Sequence, residues 1–134
     1  VLHSEFNASE EDQAHLLQIW ILPERNGLEP GYEQKLFPRE EKLNHWRLVV
    51  SPDGRDGSLT IHQDIELSSA LLDENASIDY SFDGRRRGFM QVVTGEVEVE
   101  GETLEAGDAV AIVDQPGLRV QAKSDAEVLL FDMG

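Results

Sequence analysis

The segment Glu96-Val97-Glu98-Val99-Glu100 alternates acid and valine without exception, and Gly101 ends it. Successive side chains of an extended strand point to opposite faces, so this pattern turns valines toward a core and glutamates toward water. Gly101 allows the turn that returns the chain into Glu102-Thr103-Leu104. A chain that keeps repeating this unit is committed to paired strands, and its turns are short enough to demand antiparallel neighbours.

Most of the remaining sequence does repeat it. Arg47 to Val50 leads into the turn signals Ser51-Pro52-Asp53-Gly54 and Asp56-Gly57. Strands are predicted over Leu59 to Gln63, Ile65 to Leu67, Ala70 to Leu72, Ile78 to Phe82 and Gly88 to Val93. Ala109 to Val113, Leu118 to Ala122 and Glu127 to Asp132 complete the series. Upstream, Leu16-Leu17-Gln18-Ile19-Trp20-Ile21-Leu22 is apolar on nearly both faces, the pattern of a strand buried from two sides. Pro23 stops it, and Pro, Glu, Asn and Gly dominate to about Gln34, which reads as a connection. Phe37 to Asn44 has room for one or two helical turns, with Pro38 at the first position and Glu40 and Glu41 near the positive end of the dipole. There is no long helix and no repeat period, so the expected fold is an all-β sandwich or barrel.

Size and charge narrow the function. The 134 residues suffice for one domain with a real core, and 40% apolar against 28% charged residues is a globular balance. Eleven basic residues face 27 acids, a formal charge of −16, which repels phosphate backbones and anionic lipid. Nucleic acid and membrane are therefore not expected partners. The absence of cysteine removes disulfides, thiolate metal sites and thiol nucleophiles. The chain starts with no basic stretch followed by an apolar one, and a cytoplasmic protein is the expectation.

The first residues hold the sharpest chemical signal. In an extended strand His3 and Glu5 share a face, with Leu2, Ser4 and Phe6 turned the other way. An imidazole and a carboxylate side by side suit a first-row divalent metal, but such sites usually have three or four protein ligands. The pair therefore reads as part of a coordination sphere completed by polypeptide outside this sequence.

Several blocks together resemble one family. Gly95 to Val113, with its hairpin and the Gly107-Asp108 turn, resembles the second half of a cupin barrel. His3-Ser4-Glu5-Phe6-Asn7, Leu17 to Pro23, Tyr32-Glu33-Gln34-Lys35, Ser51 to Ser58 and Ile61-His62-Gln63-Asp64 resemble, in order, the bacterial pirins, and most of all those studied as quercetin 2,3-dioxygenases. The resemblance implies a bicupin with one metal in its N-terminal barrel, held by three histidines and a glutamate. It makes His3 and Glu5 two of those ligands, and Glu5 a catalytic proton acceptor as well. It implies a divalent transition metal of the iron, manganese, nickel, copper or cobalt class in the full-length protein, and none in this chain alone.

The same resemblance divides the chain. Residues 1–22 would be terminal strands of an N-terminal cupin otherwise missing here, residues 23–34 a linker, and residues 35–134 a C-terminal cupin without a metal site. The implied fold is a cupin-type antiparallel β-barrel or jelly roll with an N-terminal extension strand. Aligning the general cupin pattern on Gly95 puts Ser81, Asp83 and Gly88 at ligand positions, and the Gly107-Asp108 turn puts Val110 at the last; the set cannot build the usual site, although Asp83 could bind weakly. The expected partners are the missing cupin half, a flavonol-like small molecule in the full-length protein, and a second copy of the chain through residues 1–22, whose apolar strand lacks a barrel to join.

Three other features carry expectations. His62 with Asp64 reads mainly as a satisfied structural pair, and otherwise as a ligand pair or acid–base couple. Arg85-Arg86-Arg87, the one basic island, is expected to balance local acids at a hairpin turn, or else to hold a carboxylate at a barrel mouth. Trp20 and Trp46 are expected in a core or interface, and His15 and His45 at the surface.

Overall fold

The computed structural model describes residues 3–134. Val1 and Leu2, which open the expected terminal strand, lie outside the described residues. A 3-10 turn at Arg39–Glu41 precedes ten strands. They are β1 (Arg47–Ser51), β2 (Leu59–Thr60), β3 (Ile65–Leu72), β4 (Ser77–Ser81), β5 (Arg87–Thr94), β6 (Glu96–Val99), β7 (Glu102–Glu105), β8 (Ala109–Ile112), β9 (Gly117–Ala122) and β10 (Ala126–Met133).

Two sheets result. One has six strands in the order β2-β1-β3-β10-β5-β8, the other four in the order β4-β9-β6-β7. Every ladder is antiparallel except the short β1–β2 pair. This is the all-β architecture that the turn spacing predicts, in the cupin-type form that the family resemblance implies. Among the described residues no helix is long and apolar enough to cross a membrane.

The alternation rule accounts for the core. Val97 and Val99 of β6 are buried, as the valine–glutamate pattern required, and Leu118, Val120 and Ala122 of β9 stand beside them. From the larger sheet, Ala70 and Leu72 of β3, Met90 and Val92 of β5, and Val128 and Leu130 of β10 close on them. Strand β10 is central: it pairs along its whole length with β3 and along most of it with β5.

Local departures from the expected strands have physical reasons. Ile65 to Leu72 is one strand rather than two, because Ser68 and Ser69 are buried inside a continuous ladder with β10. The strand from Leu59 ends at Thr60, since its one neighbour, β1, pairs with it at only two positions. The segment Leu16–Leu22 joins no ladder. Its leucines, Ile19 and Trp20 are largely exposed, and Trp20 is 86% accessible, outside the core of this chain. A strand needs a partner for its backbone groups, and none is offered here. Trp46, in contrast, packs on the core as expected.

Leu130 is fully buried at the centre of β10. Leu130→Ala is expected to lower unfolding free energy by about 2–5 kcal/mol, whereas Leu36→Ala, on an exposed side chain, leaves it nearly unchanged. Urea unfolding followed by tryptophan fluorescence checks this, and equal effects would contradict the assigned core.

Candidate functional site

The inward face of β10 changes character at its end. Ala126, Val128 and Leu130 are apolar, and the next inward residue is Asp132, 4% exposed. A carboxylate so deep is costly unless paired and hydrogen-bonded. Arg86 supplies the charge: Nε donates to Oδ1 of Asp132 at 2.5 Å, and a second nitrogen donates to the Asp132 backbone carbonyl at 3.0 Å. The Tyr80 hydroxyl donates to the other carboxylate oxygen at 2.8 Å.

Neighbouring elements close a polar mouth around this pair. Arg86 also reaches Asp64, which lies just before β3, at 2.7 Å. The turn after β1 delivers a second guanidinium. In it the Ser51 hydroxyl donates to Asp53, which also accepts from the backbone N–H of Arg55, while Gly54, Asp56 and Gly57 take positive φ. That turn aims Arg55 at Glu66 of β3, 2.5 Å away. Arg55, Glu66, Tyr80, Arg86 and Asp132 line a cavity of about 430 Å³, with Ser81 and Asp83 at its rim.

Ionisation follows the contacts. The Arg55 backbone N–H, then the Ser51 hydroxyl, hold Asp53 below the usual carboxylate range. The bond to Glu66 raises Arg55. Burial works against the charge on Arg86, but its bonds to Asp64 and Asp132 outweigh that and carry it upward. Burial, followed by the bond to Asp132, pushes the Tyr80 phenol well above its ordinary value. The ring is held edge-on between Trp46 at 5.9 Å and Phe82 at 5.1 Å. The Trp46 indole nitrogen is buried without a partner.

The residues singled out from sequence are distributed as follows. His3 and Glu5 are exposed on irregular backbone, so the strand expected there is not formed. Among the described residues no three His, Cys, Asp or Glu side chains converge as a metal site. His62 and Asp64 are not a couple: Asp64 turns to Arg86, and His62 is exposed with its backbone carbonyl accepting from Glu24. Of the arginine island, Arg86 balances acids within the protein, while Arg85 and Arg87 are exposed. His15 and His45 are exposed as expected. At Gly88, where the cupin pattern wants a glutamate, a Cβ would run into the ring of Phe82. Ser81 and Asp83 stand at the mouth cavity.

A second surface lies outside the barrel. Ile19, Trp20 and Leu22 border an apolar cleft of about 520 Å³ with Phe89, Phe131 and Met133 from the outer face of β5 and β10. Leu22 is tied down through its carbonyl, which accepts from Gln63 at 2.9 Å.

With this architecture in hand, the similarity to known proteins becomes specific. Residues 48–133 match the family described as the quercetinase C-terminal cupin domain. The chain belongs to the pirin family. It is 45% identical over 134 residues to the quercetin 2,3-dioxygenase of Escherichia coli K12, a match covering 99% of this chain and 56% of that protein. A pirin-like protein of Caulobacter vibrioides is 30% identical over 133 residues, covering 98% of this chain and 57% of its own. The crystal structure of YhhW from Escherichia coli superposes with a TM-score of 0.79 at 42% identity, covering 86% of this chain and 48% of that one. The same bacterial pirin has been solved in complex with nickel(II), with a TM-score of 0.78. This pirin chain thus spans little more than half the length of the curated relatives it matches.

Sequence reasoning placed Arg86 but missed Asp132, Tyr80, Glu66 and Arg55 as a group. The available signal was Asp132 itself, an acid at an inward position of an otherwise apolar alternation. Because folding raises the Tyr80 pKa, the stability it confers is complete below its unfolded value of about 10 and is lost as pH rises beyond it. Tyr80→Phe is expected to cost about 2 kcal/mol near neutrality and to flatten the loss of stability at high pH. Urea unfolding on both sides of that pH checks this; a steep alkaline loss unchanged in the variant would contradict it.

Proposed function

We propose that this chain is the C-terminal part of a cytoplasmic, metal-dependent flavonol 2,3-dioxygenase of the quercetin type. The observation that carries the reading is the His3-x-Glu5 pair heading a chain 45% identical to a quercetin 2,3-dioxygenase. Imidazole nitrogen and carboxylate oxygen suit a divalent transition metal. Two ligands do not complete a site, and the described residues bring no third to them. On this reading the other ligands come from polypeptide that this chain does not span.

When bound, the metal supplies Lewis acidity and a template for the flavonol oxygens. His3 ligates as the neutral imidazole. Glu5 ligates and, as a general base, accepts the proton of the flavonol hydroxyl. On this reading the C-terminal barrel contributes no reacting group and shields the first barrel.

A second reading is favoured by the apolar cleft along Ile19, Trp20 and Leu22. A contiguous exposed apolar face is an interaction surface. We infer that it meets the rest of the longer protein and, in the 134-residue chain alone, a second copy through residues 1–22. A non-catalytic module for protein contact would need that face and nothing else.

In the full-length protein, His3→Ala and Glu5→Gln are expected to empty the metal site and to lower quercetin turnover by about a hundredfold or more; elemental analysis and the decay of quercetin absorbance check both. The 134-residue chain alone should hold no stoichiometric metal. A full-length protein that binds metal and leaves quercetin intact would overturn the enzymatic reading. For assembly, sedimentation of the 134-residue chain should show a dimer that Trp20→Glu with Leu22→Glu dissociates, and a strict monomer at high concentration would contradict it.

A further inference from the structure

The barrel mouth presents fixed donors and fixed acceptors beside an aromatic wall, and this combination selects a ligand class. The cavity of about 430 Å³ lies in the size range of small-molecule pockets, roughly 300–1,000 Å³. Its two guanidiniums are already matched: Arg55 by Glu66, and Arg86 by Asp132 and Asp64. An anion would find no unmatched cation there and would approach a chain of charge −16. An organic cation would meet Asp79 and Asp83 at the rim, but to sit deeper it would have to displace an arginine from Glu66 or from buried Asp132. A metal ion would need three converging ligands, and the described residues offer no such group.

What the mouth retains is hydrogen-bonding capacity of both kinds, donor and acceptor. Arg86 makes three hydrogen bonds, and a guanidinium has five N–H donors, so two remain. Arg55 meets Glu66 through Oε2, which leaves the other carboxylate oxygen to accept. Ser81 and Asp83 add a hydroxyl and a carboxylate at the rim. A hydroxyl is the neutral group that donates and accepts through a single atom. The Tyr80 ring, immobilised between Trp46 and Phe82, gives an apolar wall for C–H groups, and the buried Trp46 N–H packed on it has no acceptor in the protein.

We propose that the mouth of this barrel is a binding site for a small neutral polyhydroxylated molecule, a monosaccharide or cyclic polyol, held by the matched Arg55–Glu66 and Arg86–Asp132 pairs and the Tyr80 ring. The preorganised ion pairs lose little by engaging a neutral hydroxyl, because neither charge is uncovered in the process. The site is independent of the metal chemistry assigned to His3 and Glu5.

The test is saturation-transfer NMR on the 134-residue chain with D-glucose, D-galactose, D-mannose and myo-inositol, and with inorganic phosphate and putrescine as charged probes. At least one polyol is expected to bind with a dissociation constant of about 1 mM, shifting the backbone amides of residues 79–86. Ser81→Ala with Asp83→Ala, both at exposed rim positions, should weaken it by about fivefold or more, whereas Glu102→Ala, on the strand at the far edge of the same sheet, should not. Amide shifts in the unmodified protein decide the matter even where the double variant fails to fold. Failure of all four polyols, amide shifts elsewhere than residues 79–86, undiminished binding in a folded double variant, or preferential binding of phosphate or putrescine would each overturn the proposal.

Discussion

The open end of this barrel is arranged around one constraint, the largely buried carboxylate of Asp132. Burying an unpaired carboxylate costs several kcal/mol, so each surrounding element must supply something to it. The β4 strand supplies the Tyr80 hydroxyl and the turn before β5 supplies Arg86. Arg86 in turn fixes Asp64 at the start of β3. The Tyr80 ring fixes Trp46 and Phe82, and Phe82 occupies the space that a side chain at position 88 would need. One acid at the end of one strand therefore determines the identity of residues on both sheets.

This explains the division of the barrel into two halves. One end is closed by valine, leucine and methionine from facing sheets, where alternation and burial suffice. The other end is closed by ion pairs and an aromatic stack. A cupin whose mouth is lined by an arginine–aspartate pair, and whose glutamate position is glycine beneath a phenylalanine ring, has committed those positions to structure and to hydrogen bonding.

The strands were legible because their signal is local. Glu96 to Glu100 states its own faces, and Gly95 and Gly101 take the positive φ their turns require. The pirin resemblance was legible in blocks spread along the chain in order, and the family match bears it out. The mouth was not, because its members come from four separate stretches of chain, and nothing near Asp132 in sequence announces Arg86 or Tyr80 as its partners. Asp64 illustrates the limit: it sits two residues from His62, and a guanidinium from a distant turn takes it instead. The apolar run Leu16–Leu22 illustrates the opposite limit, for it reads as a strand but joins no ladder among the described residues.

The most direct test of the account is a double-mutant cycle between Arg86 and Asp132, measured by equilibrium urea unfolding at neutral pH. If the pair organises the mouth, Arg86→Met and Asp132→Asn should each destabilise strongly, and their effects should couple by about 2 kcal/mol or more. Additive effects with a coupling near zero would show that the two groups are merely adjacent, and the account of the barrel mouth would fail.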